Sequence, residues 1–182
     1  MAELETDRLL LRRWRGGDLD AYARMCADPE VMRYLSGRMT REQCEAQIAR
    51  FERGWTERGF GLWAVEDKAT GMFIGFVGLL YHDDWPEGDD KTEVGWRLDR
   101  SFWGRGLATE GALASVRYGF EKLGLERIIS ITVPENIASR RVMEKAGLTY
   151  RGETHWRGYD VVWYVIDRRD WEAGQEAERL IS

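Results

Sequence analysis

Hydrophobic residues recur along this chain with two different periods, which separate predicted strands from predicted helices. Alternation of apolar and polar positions, or short apolar runs between turn residues, predicts seven strands. These strands cover residues 8–14, 60–66, 72–81, 93–99, 127–133, 148–153 and 160–166. Apolar residues three and four positions apart predict helices at residues 18–26, 40–57, 107–123 and 136–145. This order of elements indicates an α+β domain with a mixed sheet.

The helix predicted at 107–123 has two faces that differ in side-chain size. Larger apolar side chains form the predicted core stripe: Leu113, Val116, Phe120 and Leu123. Small side chains form the second face: Ala108, Ala112, Ser115 and Gly119. Because small side chains let a helix approach a sheet closely, the second face predicts tight packing of this helix.

The composition narrows the class of protein. A chain of 182 residues, 43% of them hydrophobic, predicts a single domain spanning 1–182 with a sizeable core. A formal net charge of −5 argues against a broad nucleic-acid interface. No apolar run is long enough to cross a bilayer, and the first residues do not resemble a secretory signal. Cys26 and Cys44 lack metal-ligand spacing, so we expect no metal and a reducing, cytoplasmic location.

One stretch, from Glu93 to Glu110, carries the candidate chemistry. It predicts a strand, a turn with Gly104 and Gly106 around Arg105, and the start of the long helix. Free backbone N–H groups at a helix start, together with the helix dipole and an arginine, favour a phosphate or pyrophosphate. The alternative is that the two glycines simply connect a strand to a helix.

Three segments together resemble the GNAT superfamily of acyl-CoA-dependent N-acetyltransferases. The segments are FWGRGLATE at 102–110, VPENIASRRVMEKAGL at 133–148 and ETDRLLLRRW at 5–14. The resemblance is greatest to the branch with ribosomal-protein N-terminal acetyltransferases and polyamine acetyltransferases. It implies a mixed, mostly antiparallel sheet of six to seven strands, flanked by helices, with splayed central strands that hold CoA.

The resemblance also assigns residues to the co-substrate, acetyl-CoA. Its pyrophosphate would meet the backbone N–H groups of Gly104, Arg105, Gly106, Leu107, Ala108 and Thr109. Further contacts would come from Trp96, Arg97, Leu98, Asn136, Ser139 and Arg141. Trp103 stands where the family pattern usually begins with Gln or Arg. That departure removes one polar contact and leaves the backbone contacts intact.

Two residues are candidates for the catalytic groups. Glu93 is predicted to accept the proton of the acceptor amine or to attract a cationic acceptor, and the alternative is a surface carboxylate. Ser139 is predicted to protonate the departing thiolate, directly or through water. Many members of the family carry a tyrosine for that task where this chain has Met143, which cannot donate a proton. His82 and His155 are too far apart in sequence to indicate a metal site or a catalytic triad.

The predicted function is direct transfer of an acetyl group from acetyl-CoA to a primary amine. The acceptor is either a protein N-terminal α-amine or a small amine such as a polyamine or an aminoglycoside. The acidic loop HDDWPEGDD at 82–90 would steer a cationic acceptor. One alternative is a non-catalytic acyl-CoA sensor, and another is a generic nucleotide-binding domain, which the absence of a GxxxxGK[ST] motif disfavours. Exposed strand edges near the C-terminus are compatible with a homodimer.

Overall fold

The computed structural model describes residues 3–181, without the side chains of Glu178 and Ile181. Residues 1, 2 and 182 of the predicted domain lie outside the described residues. The strands are β1 (Leu4–Glu5), β2 (Leu9–Arg12), β3 (Leu62–Asp67), β4 (Met72–Tyr81), β5 (Thr92–Leu98), β6 (Arg127–Thr132), β7 (Thr149–Trp156) and β8 (Tyr159–Asp167). The α-helices are α1 (Asp18–Ala27), α2 (Arg41–Arg58), α3 (Leu107–Glu121), α4 (Ile137–Lys145) and α5 (Arg168–Ile181).

The strands form one sheet in the order β1-β2-β3-β4-β5-β6-β8-β7. Neighbouring strands run antiparallel except β5 and β6, which run parallel. The predicted mixed α+β sheet is therefore confirmed. It has eight strands in the described chain rather than six or seven, because the two-residue strand β1 is too short to show any alternation in sequence.

The sheet opens between its two parallel strands. In the described chain, β5 and β6 share a single register pair, Glu93 with Ile129, whereas β6 and β8 pair along six positions. The hydroxyl of Ser130 on β6 bridges the junction by donating to the carbonyl oxygen of Val94 on β5 at 2.8 Å. The predicted splay of the central strands is thus present and leaves a gap beside the C-terminal half of β5.

Helices cover both faces of the sheet. On one face α3 and α4 pack on the middle strands through a core that includes Val116, Phe120 and Met143. On the other face α1 and α2 pack over β3 and β4 through Tyr22 and Phe51. The predicted stripe on α3 is wrong in one position: Leu113 is 45% exposed, while the small face turns to the sheet. Among the described residues, no helix combines the length and the apolar character that crossing a membrane requires.

Candidate active site

A cavity of about 450 Å³ lies where β5 separates from β6, between the N-terminal end of α3 and helix α4. The co-substrate residues predicted from the sequence all line it, except Arg105. Those that line it are Trp96, Arg97, Leu98, Gly104, Gly106, Leu107, Ala108, Thr109, Asn136, Ser139 and Arg141. The segment 30–35, which connects α1 to α2, supplies a wall that the sequence did not point to.

The turn before α3 has the backbone geometry that its glycines allow. Gly104 and Gly106 have φ angles of +73° and +77°, a conformation that other residues adopt only with strain. Gly106 is the N-cap of α3, and no side chain among the described residues caps this helix start by a hydrogen bond. The free N–H groups of the first turn of α3 therefore lie beside the cavity, where they would stabilise an anion.

The N-terminal strands fix this turn through an ion pair that sequence analysis missed. Glu110, in the first turn of α3, accepts hydrogen bonds from the Thr6 hydroxyl at 2.6 Å and from Arg8 Nε at 2.6 Å. Arg8 Nη1 also donates to the carbonyl oxygen of Arg105 at 2.7 Å. Burial raises the pKa of Glu110, but the hydrogen bonds from Thr6 and Arg8 outweigh it, so the pKa lies below its ordinary value. Arg105 itself stacks on the ring of Phe102.

Helix α4 presents polar groups at the opposite wall of the cavity. Asn136 is its N-cap and accepts a hydrogen bond from the N–H of Ser139 at 3.2 Å. Ser139 and Arg141 line the cavity. Met143 is fully buried in the core, so its side chain belongs to the packing of α4. Arg140 donates to the hydroxyl of Tyr164 and to the carbonyl oxygen of Pro134, which ties it to the fold.

Strand β5 turns alternate side chains to opposite faces of the sheet. Val94 and Leu98 pack on the side of α3. Arg97 points to the other side, where its Nη1 donates to the hydroxyl of Tyr22 in α1 at 3.1 Å. Glu93 and Gly95 share the face of Arg97, because side chains two apart along a strand point the same way. Glu93 therefore lies on the face covered by α1 and α2.

Among the described residues, the carboxylate of Glu93 has its close polar contact with His82. Its Oε2 lies 2.6 Å from Nε2 of His82, and the side chains of the two residues are 16% and 5% exposed. The ring of Trp156 packs edge-on against the imidazole, with ring centroids 4.8 Å apart. His82 also lines a second cavity, of about 470 Å³, between α2 and the β4–β5 loop. Glu93 lines neither cavity. Its contact with His82 links it to the second cavity.

The acidic β4–β5 loop is largely paired with arginines. Arg157, in the β7–β8 hairpin, donates to both carboxylate oxygens of Asp84 at 2.7 and 2.8 Å. Asp83 pairs with Arg58 at 3.2 Å. Asp90 pairs with Arg127 at 3.3 Å. These pairs reduce the negative potential that the loop would offer a cationic acceptor. The Asp84–Arg157 pair also joins the β7–β8 hairpin to the loop, and Trp156 of that hairpin packs against His82.

Comparison with known proteins gives consistent matches over most of the chain. A protein-family model described as an acetyltransferase (GNAT) domain matches residues 8–149. The uncharacterized protein YkkB of Bacillus subtilis (strain 168) is 34% identical over 149 residues, 81% of this chain and 86% of YkkB.

The name of a second relative states an activity. The FsC-acetyl coenzyme A-N(2)-transacetylase of Aspergillus fumigatus is 38% identical over 160 residues, 79% of this chain and 67% of that protein. Among solved structures, an acetyltransferase from Agrobacterium tumefaciens str. C58 superimposes with a TM-score of 0.80 at 28% identity, covering 91% of this chain and 94% of that chain. The residues matched by the family model, 8–149, include the lining of the first cavity, the glycine turn and Glu93.

Proposed function

This chain belongs to the GNAT acetyltransferase family, and from that premise we propose that Glu93 and Ser139 serve the direct transfer of an acetyl group to a primary amine. Membership makes the protein an acyltransferase that uses acetyl-CoA as co-substrate and acts on amines. The observation that carries the proposal is the position of Glu93. It stands on the strand whose other end lines the cavity, beside the gap in the sheet.

The residues of the larger site fit the chemistry of acetyl-CoA. The backbone N–H groups from Gly104 to Thr109 would receive the pyrophosphate, since the uncapped helix start favours negative charge. The backbone of Trp96 to Leu98 would hold the extended arm of the co-substrate along β5. Asn136, Ser139 and Arg141 would contact it from α4. Arg105, whose side chain stacks on Phe102, would contribute through its backbone N–H.

The chemistry then needs only a few groups of this chain. Glu93 would take one proton from the protonated acceptor amine, directly or through water, and so produce the nucleophile. A backbone N–H near Arg97 or Leu98 would donate to the thioester oxygen as the new C–N bond forms. As the C–S bond breaks, Ser139 would pass the second amine proton to the thiolate, directly or through water. One proton is released to solvent for each acetyl group transferred.

The acceptor remains a choice between a protein N-terminal α-amine and a small amine such as a polyamine or an aminoglycoside. The name of the Aspergillus relative, an N(2)-transacetylase, supports a nitrogen acceptor. In the sequence, the acidic loop at 82–90 supports a highly cationic small amine as acceptor. That support is weaker in the structure, because arginines pair with Asp83, Asp84 and Asp90. We further propose that the chain acts as one domain over 1–182 and that the exposed edge strand β7 serves a homodimer.

A thiol-release assay tests the proposal directly. Acetyl-CoA would be mixed with spermidine, with aminoglycosides and with short peptides that differ in their first residue. Release with one class of amine is the expected result and would name the acceptor chemistry. If acetyl-CoA binds by calorimetry but no amine of the panel supports release, the result means either an acceptor outside the panel or a non-catalytic acyl-CoA sensor, and the proposed acceptor classes are refuted.

A further inference from the structure

We propose that His82 is a positioning residue of the acetyl transfer: it fixes the carboxylate of Glu93 and shares the proton that Glu93 removes from the acceptor. This inference rests on the proposed function of Glu93. It begins from the 2.6 Å contact between His82 Nε2 and Glu93 Oε2. An ionised carboxylate can only accept a hydrogen bond, so the Nε2 atom carries the proton in the resting pair.

The surroundings hold the imidazole in place. His82 is one of the few buried polar residues of the chain, at 5% exposure. Its backbone N–H donates to the carbonyl oxygen of Lys91 at 2.9 Å, which fixes it at the end of β4. Trp156 covers one edge of the ring, and the indole N–H of Trp156 donates to the carbonyl oxygen of Asp84 at 3.2 Å. The backbone of His82 and the indole that packs on its ring are therefore both held in place, which is typical of a group that orients another.

The position of His82 also offers the proton a route to solvent. Glu93 is largely buried, so a proton that it accepts must leave before the next turnover. His82 borders the cavity of about 470 Å³ next to α2, which lies on the face of the sheet opposite α3. The pair carries a charge of −1 when Glu93 is ionised and His82 neutral. The pair becomes neutral when it accepts a proton from the ammonium group, whichever of the two residues holds that proton. Its charge returns to −1 when the proton is released to the cavity.

Several titratable and charged groups of the described residues lie near the pair. The cavity beside His82 is also lined by Arg50, Arg53, Glu57, Arg58, Tyr81, Asp83, Asp84 and Arg157, and Lys91 donates to the carbonyl oxygen of Asp83. The hydrogen bond from Arg157 holds the pKa of Asp84 below its ordinary value. Because all these groups are the same in the parent protein and in a variant of His82, a change of rate with pH that depends on His82 reports the pair itself.

The kinetic test compares His82→Gln with His155→Gln. His155 is the second of the two histidines, and it lies exposed on β7 beside Asp160. With the amine identified by the thiol-release assay, we expect kcat of His82→Gln to fall at least about tenfold, since general-base transfer is worth about 10²–10⁴-fold. The acid side of its kcat–pH profile should change, because one of the two groups that share the proton has been removed. Acetyl-CoA affinity and the profile of His155→Gln should be unchanged.

Two outcomes of the kinetic test would overturn the inference. One is an unchanged rate in His82→Gln. The other is a lower rate with an unchanged pH profile, which would mean that His82 only supports the fold. Thermal unfolding of each variant, measured alongside, separates loss of folded protein from loss of chemistry.

A spectroscopic test decides the question without turnover. In His155→Gln, the nitrogen-15 spectrum of the remaining imidazole reports His82 alone. We expect the tautomer protonated on Nε2, and a marked change in its nitrogen shifts when Glu93→Gln is added. Identical spectra in the two variants would refute the pair, even if acetyl transfer is established. If the spectra show the His82–Glu93 contact but the protein acetylates no amine, the proposed function is refuted and the contact is not.

Discussion

At the scale of single residues, the fold gives Glu93 properties that its place in the sequence does not reveal. The same strand carries buried apolar side chains toward α3 and polar side chains toward α1 and α2. Glu93 is on the polar face, next to the gap between β5 and β6, and its carboxylate is held by a hydrogen bond. A carboxylate that is held in one orientation and largely shielded from solvent is well suited to accept a proton from an amine.

Replacing Glu93 by glutamine should therefore affect chemistry far more than co-substrate binding. We expect kcat near neutral pH to fall by about 10²–10⁴-fold, the usual contribution of a general base. The Kd for acetyl-CoA, measured by calorimetry, should stay the same because the cavity lining is untouched. Glu121→Gln, the same change at an exposed position at the end of α3, is the control. Equal losses of rate and affinity would assign Glu93 a structural role instead.

His82 shows why a part of the site could not be predicted from sequence. A single histidine next to an acidic loop forms no recognisable sequence motif, and its partner Glu93 is eleven residues away along the chain. The contact follows from the register of the β4–β5 hairpin, in which Leu80 is opposite Glu93. His82, two residues beyond Leu80 on the same face, then becomes a diagonal neighbour of Glu93. Only the pairing of the two strands, which depends on the long loop between them, brings the residues together.

At the scale of elements, helix α3 buries most of both faces that its sequence distinguishes. Val116 and Phe120 of the predicted stripe lie in the core, and the small residues Ser115 and Gly119 are buried as well, whereas Leu113 is exposed. A Cβ atom built on Gly119 would lie 2.7 Å from Ile128 Cδ1. The close approach of the small face was predicted from side-chain size, whereas the exposure of Leu113 depends on where the helix meets the sheet, which periodicity alone does not contain.

The glycine turn before α3 was predicted well, because its chemistry is local. The spacing of Gly104 and Gly106 fixes two residues with positive φ, and the helix that follows supplies N–H groups. The ion pair that holds the turn could not be predicted in the same way. Arg8 and Glu110 lie 102 residues apart, and only the tertiary fold brings β2 beside α3.

Substituting Gly106 tests the role of this element. Gly106→Val should weaken acetyl-CoA binding at least about tenfold, because valine strains the turn and carries side-chain atoms to the N–H groups of α3. Gly59→Val is a matched control. Gly59 has the same φ and ψ, 77° and 5°, at the C-cap of α2, so it introduces equal strain away from the cavity. Calorimetry would measure both affinities. An unchanged affinity in Gly106→Val, or an equal loss in Gly59→Val, would contradict the pyrophosphate assignment.

At the scale of the whole molecule, the architecture arranges the proposed tasks around the gap in the sheet. The glycine turn lies on the α3 side, the first cavity is lined both by the start of α3 and by the segment 30–35 that connects α1 to α2, and the α1–α2 side carries His82 and the second cavity. The sheet opens between β5 and β6, and the proposed reaction would join the two sides at that gap. Order and type of most elements were predictable from periodicity, whereas this arrangement depends on the register of the strands.

The N-terminal strands contribute to this arrangement, because residues of the segment that connects them hold the start of α3 in place. Thr6 and Arg8 bind Glu110, and Arg8 binds the carbonyl oxygen of Arg105. Burial opposes the ionisation of Glu110, but these hydrogen bonds lower its pKa overall. A group whose pKa is lower in the folded than in the unfolded chain stabilises the fold above its unfolded value, about 4.3 for glutamate. That stabilisation is lost as the pH falls through the folded value.

Glu110→Gln should therefore unfold more easily than the parent protein at pH 7, with a difference that narrows as the pH falls below about 4. The reason is that the parent loses the ionised carboxylate in acid, whereas the glutamine variant has none to lose. Urea denaturation at pH 7, 4 and 3 measures the two free energies of unfolding, with Glu121→Gln as the control for a surface charge. The variant should also bind acetyl-CoA more weakly at pH 7, since Arg8, which donates to the carbonyl oxygen of Arg105, loses the carboxylate that holds it in place. A difference in stability that is constant over this range of pH would show that Glu110 acts through packing and not through its charge.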